Sequence, residues 1–147
     1  MNDMRDLYQE VILDHNKRPR NFRIIPQPTH KADGVNPLCG DRISVFLDIE
    51  DGVIQDIAFQ GAGCAISSAS ASLMTEALKG KPVDDVENLF EAFHTVVTSD
   101  CECPRGLGKL SVLAGVRDYP SRVKCATLAW HAVRAALEEH QQPVATE

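Results

Sequence analysis

Apolar and polar positions alternate most regularly between Asp41 and Glu50, where Ile43, Val45, Leu47 and Ile49 fall on every second residue. That is the period of a strand with one face buried and one solvated. Glu50-Asp51-Gly52 supplies turn chemistry, and Ile54, Ile57, Ala58 and Phe59 follow between Val53 and Gln60, so the two runs predict a hairpin. A hairpin alone has too little apolar surface to be stable, and a third strand around Thr29 to Asp33 is expected at its edge.

Elsewhere the period is helical. Leu7, Val11 and Ile12 share one side of a helix over Arg5 to His15, which ends before Arg18-Pro19-Arg20. Asn21 to Thr29 holds two prolines and no clean period, and reads as an irregular connection over the surface that covers the sheet edge. After Gly61-Ala62-Gly63 a helix is expected to start close to Cys64, with Ile66, Ala69, Leu73 and Ala77 on one face and Lys79-Gly80 as its stop. Asp84 and Glu87 resemble a capping box for the next helix, striped by Val86, Leu89, Phe90, Phe93 and Val97. A short helix between Arg105 and Arg117 carries Leu107, Leu110 and Leu113, and a last helix from about Arg122 to His140 carries Ala126, Trp130, Val133 and Leu137. Strands followed by a run of helices predict an α+β fold: a mainly antiparallel three-stranded sheet with helices packed on one face. Residues 1–140 form one domain in this reading, and 141–147 a disordered tail.

Composition narrows the function classes. A chain of 147 residues fits one domain with a real core. The formal net charge of −6, with no long basic run, argues against unassisted binding to a phosphate backbone. Met1 to Asp6 lacks the charged-then-apolar pattern of a secretory signal and no 18 apolar residues run together, so a soluble cytoplasmic protein without a membrane partner is expected. Five cysteines in such a chain fit reduced thiols that bind metal or react, better than a disulfide framework.

Cys39 and Asp41 stand two residues apart where the clearest strand begins, so in an extended chain their side chains point to one side. Gly40 between them frees the backbone to bend, although the same segment is also readable as an ordinary turn. Cys64 opens a helix, where unpaired N–H groups favour a thiolate; the alternative is a buried cysteine among Ala and Ser. Cys125 lies near the start of the last helix between Arg122 and Lys124 on one side and Ala126 on the other, in an electropositive setting. Three thiols and a carboxylate make a four-ligand set of the kind zinc takes, though the long spacings need the fold to bring them together. Cys101-Glu102-Cys103 alternates sides if extended and does not chelate easily; its role stays open. His94 and His131 sit in amphipathic helices and are read as packing or surface residues.

Three segments in order, Asn36-Pro37-Leu38-Cys39-Gly40-Asp41, Gly61-Ala62-Gly63-Cys64-Ala65-Ile66-Ser67-Ser68-Ala69-Ser70 and Arg122-Val123-Lys124-Cys125-Ala126-Thr127-Leu128-Ala129-Trp130, resemble the IscU-like proteins of iron–sulfur cluster assembly over nearly the whole chain. Lys124 stands where IscU proper has a histidine, and the Leu-Pro-Pro-Val-Lys chaperone motif is absent, so the resemblance is to the SufU branch. The long stretch between Cys64 and Cys125 is similar to the insertion of that branch.

The resemblance implies that Cys39, Asp41, Cys64 and Cys125 bind zinc and that Cys39 accepts persulfide sulfur from a SufS-type cysteine desulfurase, which the protein stimulates. It implies a partner-binding role for Arg122 and Lys124 beside the site, with other Suf proteins and apo iron–sulfur proteins as further partners. Such a sulfurtransferase-like acceptor differs from a conventional multiple-turnover enzyme. A scaffold on which a cluster is built and transferred uses the same ligands, with the cluster held transiently in place of zinc. A structural zinc-binding interaction module would need the ligands but no reactive thiol. A cysteine-nucleophile hydrolase would need an activating histidine, and none lies near the cysteine motifs in sequence.

Overall fold

The structure is a computed structural model that describes residues 3–36, 40–98, 110, 113, 116, 120–138 and 144–145. In chain order the elements are α1 (Asp3–Lys17), β1 (His30–Asn36), β2 (Asp41–Glu50), β3 (Val53–Ala62), α2 (Ala65–Leu78), α3 (Asp84–Thr98), α4 (Pro120–Leu137) and β4 (Val144–Ala145). β1, β2 and β3 form the expected antiparallel sheet. Asp51 and Gly52 close the hairpin with positive φ of 55° and 74°, the backbone a two-residue turn requires between right-twisted strands.

Alternation carries through to burial. Ile43, Val45 and Leu47 of β2 face inward with Ala32, Gly34 and Asn36 of β1. Helix α4 lies directly on this face: a Cβ placed on Gly34 would stand 3.1 Å from Leu128 Cδ1 and 3.5 Å from Ala132 Cβ. The absence of a side chain there lets the helix settle close to the strand. On the far side of α4 the indole of Trp130 is fully buried and stacks on Phe93 with ring centroids 5.2 Å apart. Phe90 packs beside them and is capped by the Arg134 guanidinium, which also pairs with Glu87.

Helix α2 differs from its expected one-sided pattern, because Ser67, Ser70, Ala71, Ser72, Met74 and Thr75 are buried as well as Ile66, Ala69 and Leu73. It is a central helix held on several sides by α1, α4 and β3. Its small side chains permit that crowding, and the hydroxyls find partners: Ser70 donates to the Ala126 carbonyl of α4, and Thr75 to the Ser72 carbonyl.

The connection after α1 reaches the sheet edge as expected and then goes further. Arg23 N–H donates to the Phe59 carbonyl at 3.0 Å and Phe59 N–H to the Asn21 carbonyl at 3.0 Å, so Asn21–Arg23 runs along the outer edge of β3. Thr29, only six residues on, bonds Leu47 and Ile49 of β2. The chain therefore crosses the outer face of the hairpin, and Phe46 and Ala58 on that face are buried.

Two expectations need adjustment, and a third falls mostly outside the described residues. α3 includes Asp84 as its first residue, so the capping position falls one earlier. In the stretch expected as a short helix, Leu110, Leu113 and Val116 are buried and the rest lies outside the described residues. Within the tail expected to be disordered, Val144 and Ala145 pair parallel with Gly34 and Val35 of β1.

Candidate metal centre

The inner face of the sheet ends in two polar residues opposite each other, Asn36 at the close of β1 and Asp41 at the opening of β2. Gly40 precedes Asp41 with φ of 76°, a left-handed conformation that suits glycine, and its N–H donates to the Asn36 carbonyl at 2.8 Å. The end of the β1–β2 ladder and this main-chain bond thus fix where Asp41 stands.

Cys64 is the N-cap of α2, in extended backbone conformation, and its Sγ accepts the Ser67 N–H at 3.4 Å. The end of the helix accordingly presents N–H groups to the sulfur, a setting that favours negative charge. Asp41 Oδ1 accepts the Cys64 N–H at 3.0 Å, which ties strand to helix. Gly63 makes room for this contact, since a Cβ there would stand 2.9 Å from both Cγ and Oδ1 of Asp41.

Cys125 is brought in by α4. It lies one turn before Leu128 on the helix face that meets β1, is buried, and accepts the Asn36 Nδ2 hydrogen at 3.7 Å. One ligand atom each from Asp41, Cys64 and Cys125 lie within 4.8 Å of one another. Residues 23 and 61 positions apart in sequence are therefore gathered as the long spacings demanded.

The donor set fits a cation. Asp41 is 3% exposed, and its Oδ2 is buried with no hydrogen-bond partner among the described residues. A buried carboxylate oxygen left unsatisfied is destabilising by about 1–3 kcal/mol or more, and a metal ion removes that penalty. Two sulfurs beside one carboxylate oxygen suit zinc or iron, and suit magnesium or calcium poorly.

Cys39, expected as the fourth ligand and the reactive thiol, lies outside the described residues, as do Cys101 and Cys103. Arg122 is exposed in the first turn of α4 and Lys124 is half-buried beside Cys125. Among the described residues no histidine joins the metal-binding group. Two contributors were not singled out from sequence, Asn36 and Gly63. The strand expected around Thr29 to Asp33 stops short of Asn36, so neither its inward direction nor its partner on α4 was readable; β1 in fact runs on to Asn36.

Comparison with known proteins finds relatives over nearly the whole chain. Residues 7–146 match the NifU-like N terminal domain. The chain is 37% identical over 136 residues to the zinc-dependent sulfurtransferase SufU of Bacillus subtilis (strain 168), covering 92% of each. It is 38% identical over 145 residues to the iron–sulfur cluster assembly scaffold protein IscU of Streptococcus pyogenes serotype M1, covering 94% of this chain and 87% of the relative. Among solved structures, the N-terminal NifU-like protein of Brucella abortus superposes with a TM-score of 0.83 at 25% identity, over 91% of this chain and 94% of its own. A candidate SUF-system scaffold, SufU of Fervidobacterium islandicum AW-1, gives 0.84 at 30% identity, over 90% and 97%. With the fold, the motif order and these likenesses in agreement, the chain belongs to the NifU-like N-terminal domain family, the iron–sulfur cluster assembly proteins of the SufU and IscU type.

Proposed function

We propose that the protein is a zinc-dependent sulfur acceptor that takes persulfide sulfur from a SufS-type cysteine desulfurase onto Cys39 and stimulates that enzyme. The observation that supports it most directly is Asp41 Oδ2, which has no hydrogen-bond partner among the described residues and is buried where Cys64 and Cys125 converge. Asp41, Cys64 and Cys125 hold the ion in this reading, with Cys39 as the fourth ligand. Bound zinc keeps thiols deprotonated at neutral pH.

The transfer is an exchange at sulfur. The Cys39 thiolate attacks the outer sulfur of the desulfurase persulfide, a Cys39–sulfur bond forms, and the bond to the desulfurase cysteine breaks. That cysteine leaves as a thiolate, and the persulfide is now carried by this chain with no net oxidation or reduction. Arg122, exposed beside the site, docks a carboxylate of the desulfurase through its planar guanidinium, with Lys124 next to it. Apo iron–sulfur proteins and other assembly proteins receive the sulfur downstream.

A scaffold role is the second reading, favoured by the likeness to a relative named as a scaffold at 38% identity. Elemental analysis combined with desulfurase turnover separates the two, comparing wild type with Cys39→Ser, Asp41→Ala and Arg122→Lys. Zinc at about one per chain, stimulation by the wild type alone, and zinc without full stimulation in Arg122→Lys are expected. Bound iron with a visible cluster and no stimulation would favour the scaffold, and absence of any metal would reject both.

A further inference from the structure

We infer that Asn36 is a positioning residue of the metal centre, acting through Cys125; this rests on the reading that Asp41, Cys64 and Cys125 are metal ligands. Asn36 ends β1 on the inward face and is 1% exposed. Asparagine is disfavoured in strands, and an inward position over a packed helix is better filled by valine. A buried amide at this place needs a polar reason.

The side chain has a polar contact, and the backbone around it fixes where that contact is made. The side-chain Nδ2 donates to Cys125 Sγ at 3.7 Å. The main-chain carbonyl accepts the N–H of Gly40, the residue before Asp41. Across the ladder, Asn36 is the direct partner of Asp41 itself. One residue therefore links the ligand on α4 to the ligand on β2, although the two are 84 positions apart in sequence.

The chemistry follows from the donor. An N–H bond to a thiolate sulfur fixes the orientation of its lone pairs and draws off part of its charge, as outer partners do for other metal ligands. Aspartate has the same size and shape but cannot donate, and would set a second anion against the sulfur. Alanine removes the donor altogether.

The experiment uses the full chain. Zinc affinity is measured by chelator competition for wild type, Asn36→Ala and Asn36→Asp, each also with Cys125→Ser, and the sulfur-to-metal charge-transfer band is recorded after loading with cobalt(II). Affinity is expected to fall about 10–100-fold in Asn36→Ala, with Asn36→Asp no tighter. The band is expected to move to lower energy as the sulfur regains charge, and the loss to vanish in the Cys125→Ser background. The isosteric aspartate variant carries the comparison if the alanine variant does not fold. Unchanged affinity and band position in a wild type that binds zinc through Cys64 and Cys125 would overturn the Asn36 role alone. An equal loss with and without Cys125 would also overturn it, by assigning the effect to the fold. A wild type whose zinc binding ignores Cys64→Ser and Cys125→Ser would instead remove the metal-centre reading, and this inference with it.

Discussion

Helix α2 carries a buried polar cluster at each of two levels, and they are closed in different ways. About 12 Å along the helix from Cys64, Ser72 accepts the Arg20 N–H at 2.8 Å and lies 2.6 Å from His15 Nδ1. The direction of the His15–Ser72 bond follows the imidazole tautomer, and the other ring nitrogen, Nε2, lies 3.6 Å from the Glu76 carboxylate. Asn21 completes this group by donating to Thr75 Oγ1 at 3.0 Å. These bonds join α1 and its following segment to the central helix, and the Glu76 carboxylate that His15 Nε2 faces is partly exposed. At the N-terminal end of α2 the same accounting leaves Asp41 Oδ2 over, with two sulfurs beside it. The joint turns its remaining ring nitrogen toward an acidic side chain of the protein, whereas the candidate ligand site turns a carboxylate oxygen toward two sulfurs, acceptors that a cation would hold together.

The largest test of that contrast is thermal. With free zinc at about 1,000 times its dissociation constant, the wild type is expected to gain about 4 kcal/mol of stability, and Asp41→Ala to gain almost none, as read from melts with zinc and with a chelator. The converse substitution is Ser72→Ala, which deprives Arg20 N–H and His15 Nδ1 of their shared hydroxyl. A loss of about 1–3 kcal/mol is expected in denaturant titrations, equal with and without zinc. A loss that depended on zinc would mean that the two clusters are coupled.

Gly63→Ala sharpens the comparison at smaller scale. The three atoms nearest its Cβ would all belong to the Asp41 side chain. Zinc affinity is expected to fall about tenfold while the melting temperature of the metal-depleted protein barely changes. The smallest effect concerns His131, which packs edge-on against Phe90 outside both clusters. Burial, then the charges of Arg134 and His94, hold its pKa below the ordinary value of 6.5. The unfolded chain takes up the proton first as pH falls, so stability declines from about pH 6.5 down to the lowered folded value and then levels. Metal-depleted His131→Gln is expected to show a flatter pH profile over that interval; an identical profile would show that His131 does not contribute.

Local patterns made much of this arrangement legible. The alternation of Ile43, Val45 and Leu47 and the Asp51-Gly52 turn define the hairpin, and Gly61-Ala62-Gly63 before Cys64 marks the start of α2. Those signals act over a few residues, and the structure agrees with them. Burial of α2 on several sides was not readable, because Ser and Ala are small enough to be buried or exposed and only the neighbouring elements decide. The crossing of the outer face by the segment after Asn21 depends on bonds to Phe59 and Leu47, and the pairing of Val144 with Gly34 spans most of the chain. Asp41, Cys64 and Cys125 stood out by residue type; that they share one centre followed from the resemblance and from the packing of α4 on Gly34.

The strand order places β3 and the two-residue β4 at the borders of the sheet, and Asn21–Arg23 lies along part of β3 while β4 lies along part of β1. Unpaired strand borders are templates on which other chains polymerise. By occupying backbone groups on part of each border with its own segments, the chain narrows the template that its sheet offers for self-association.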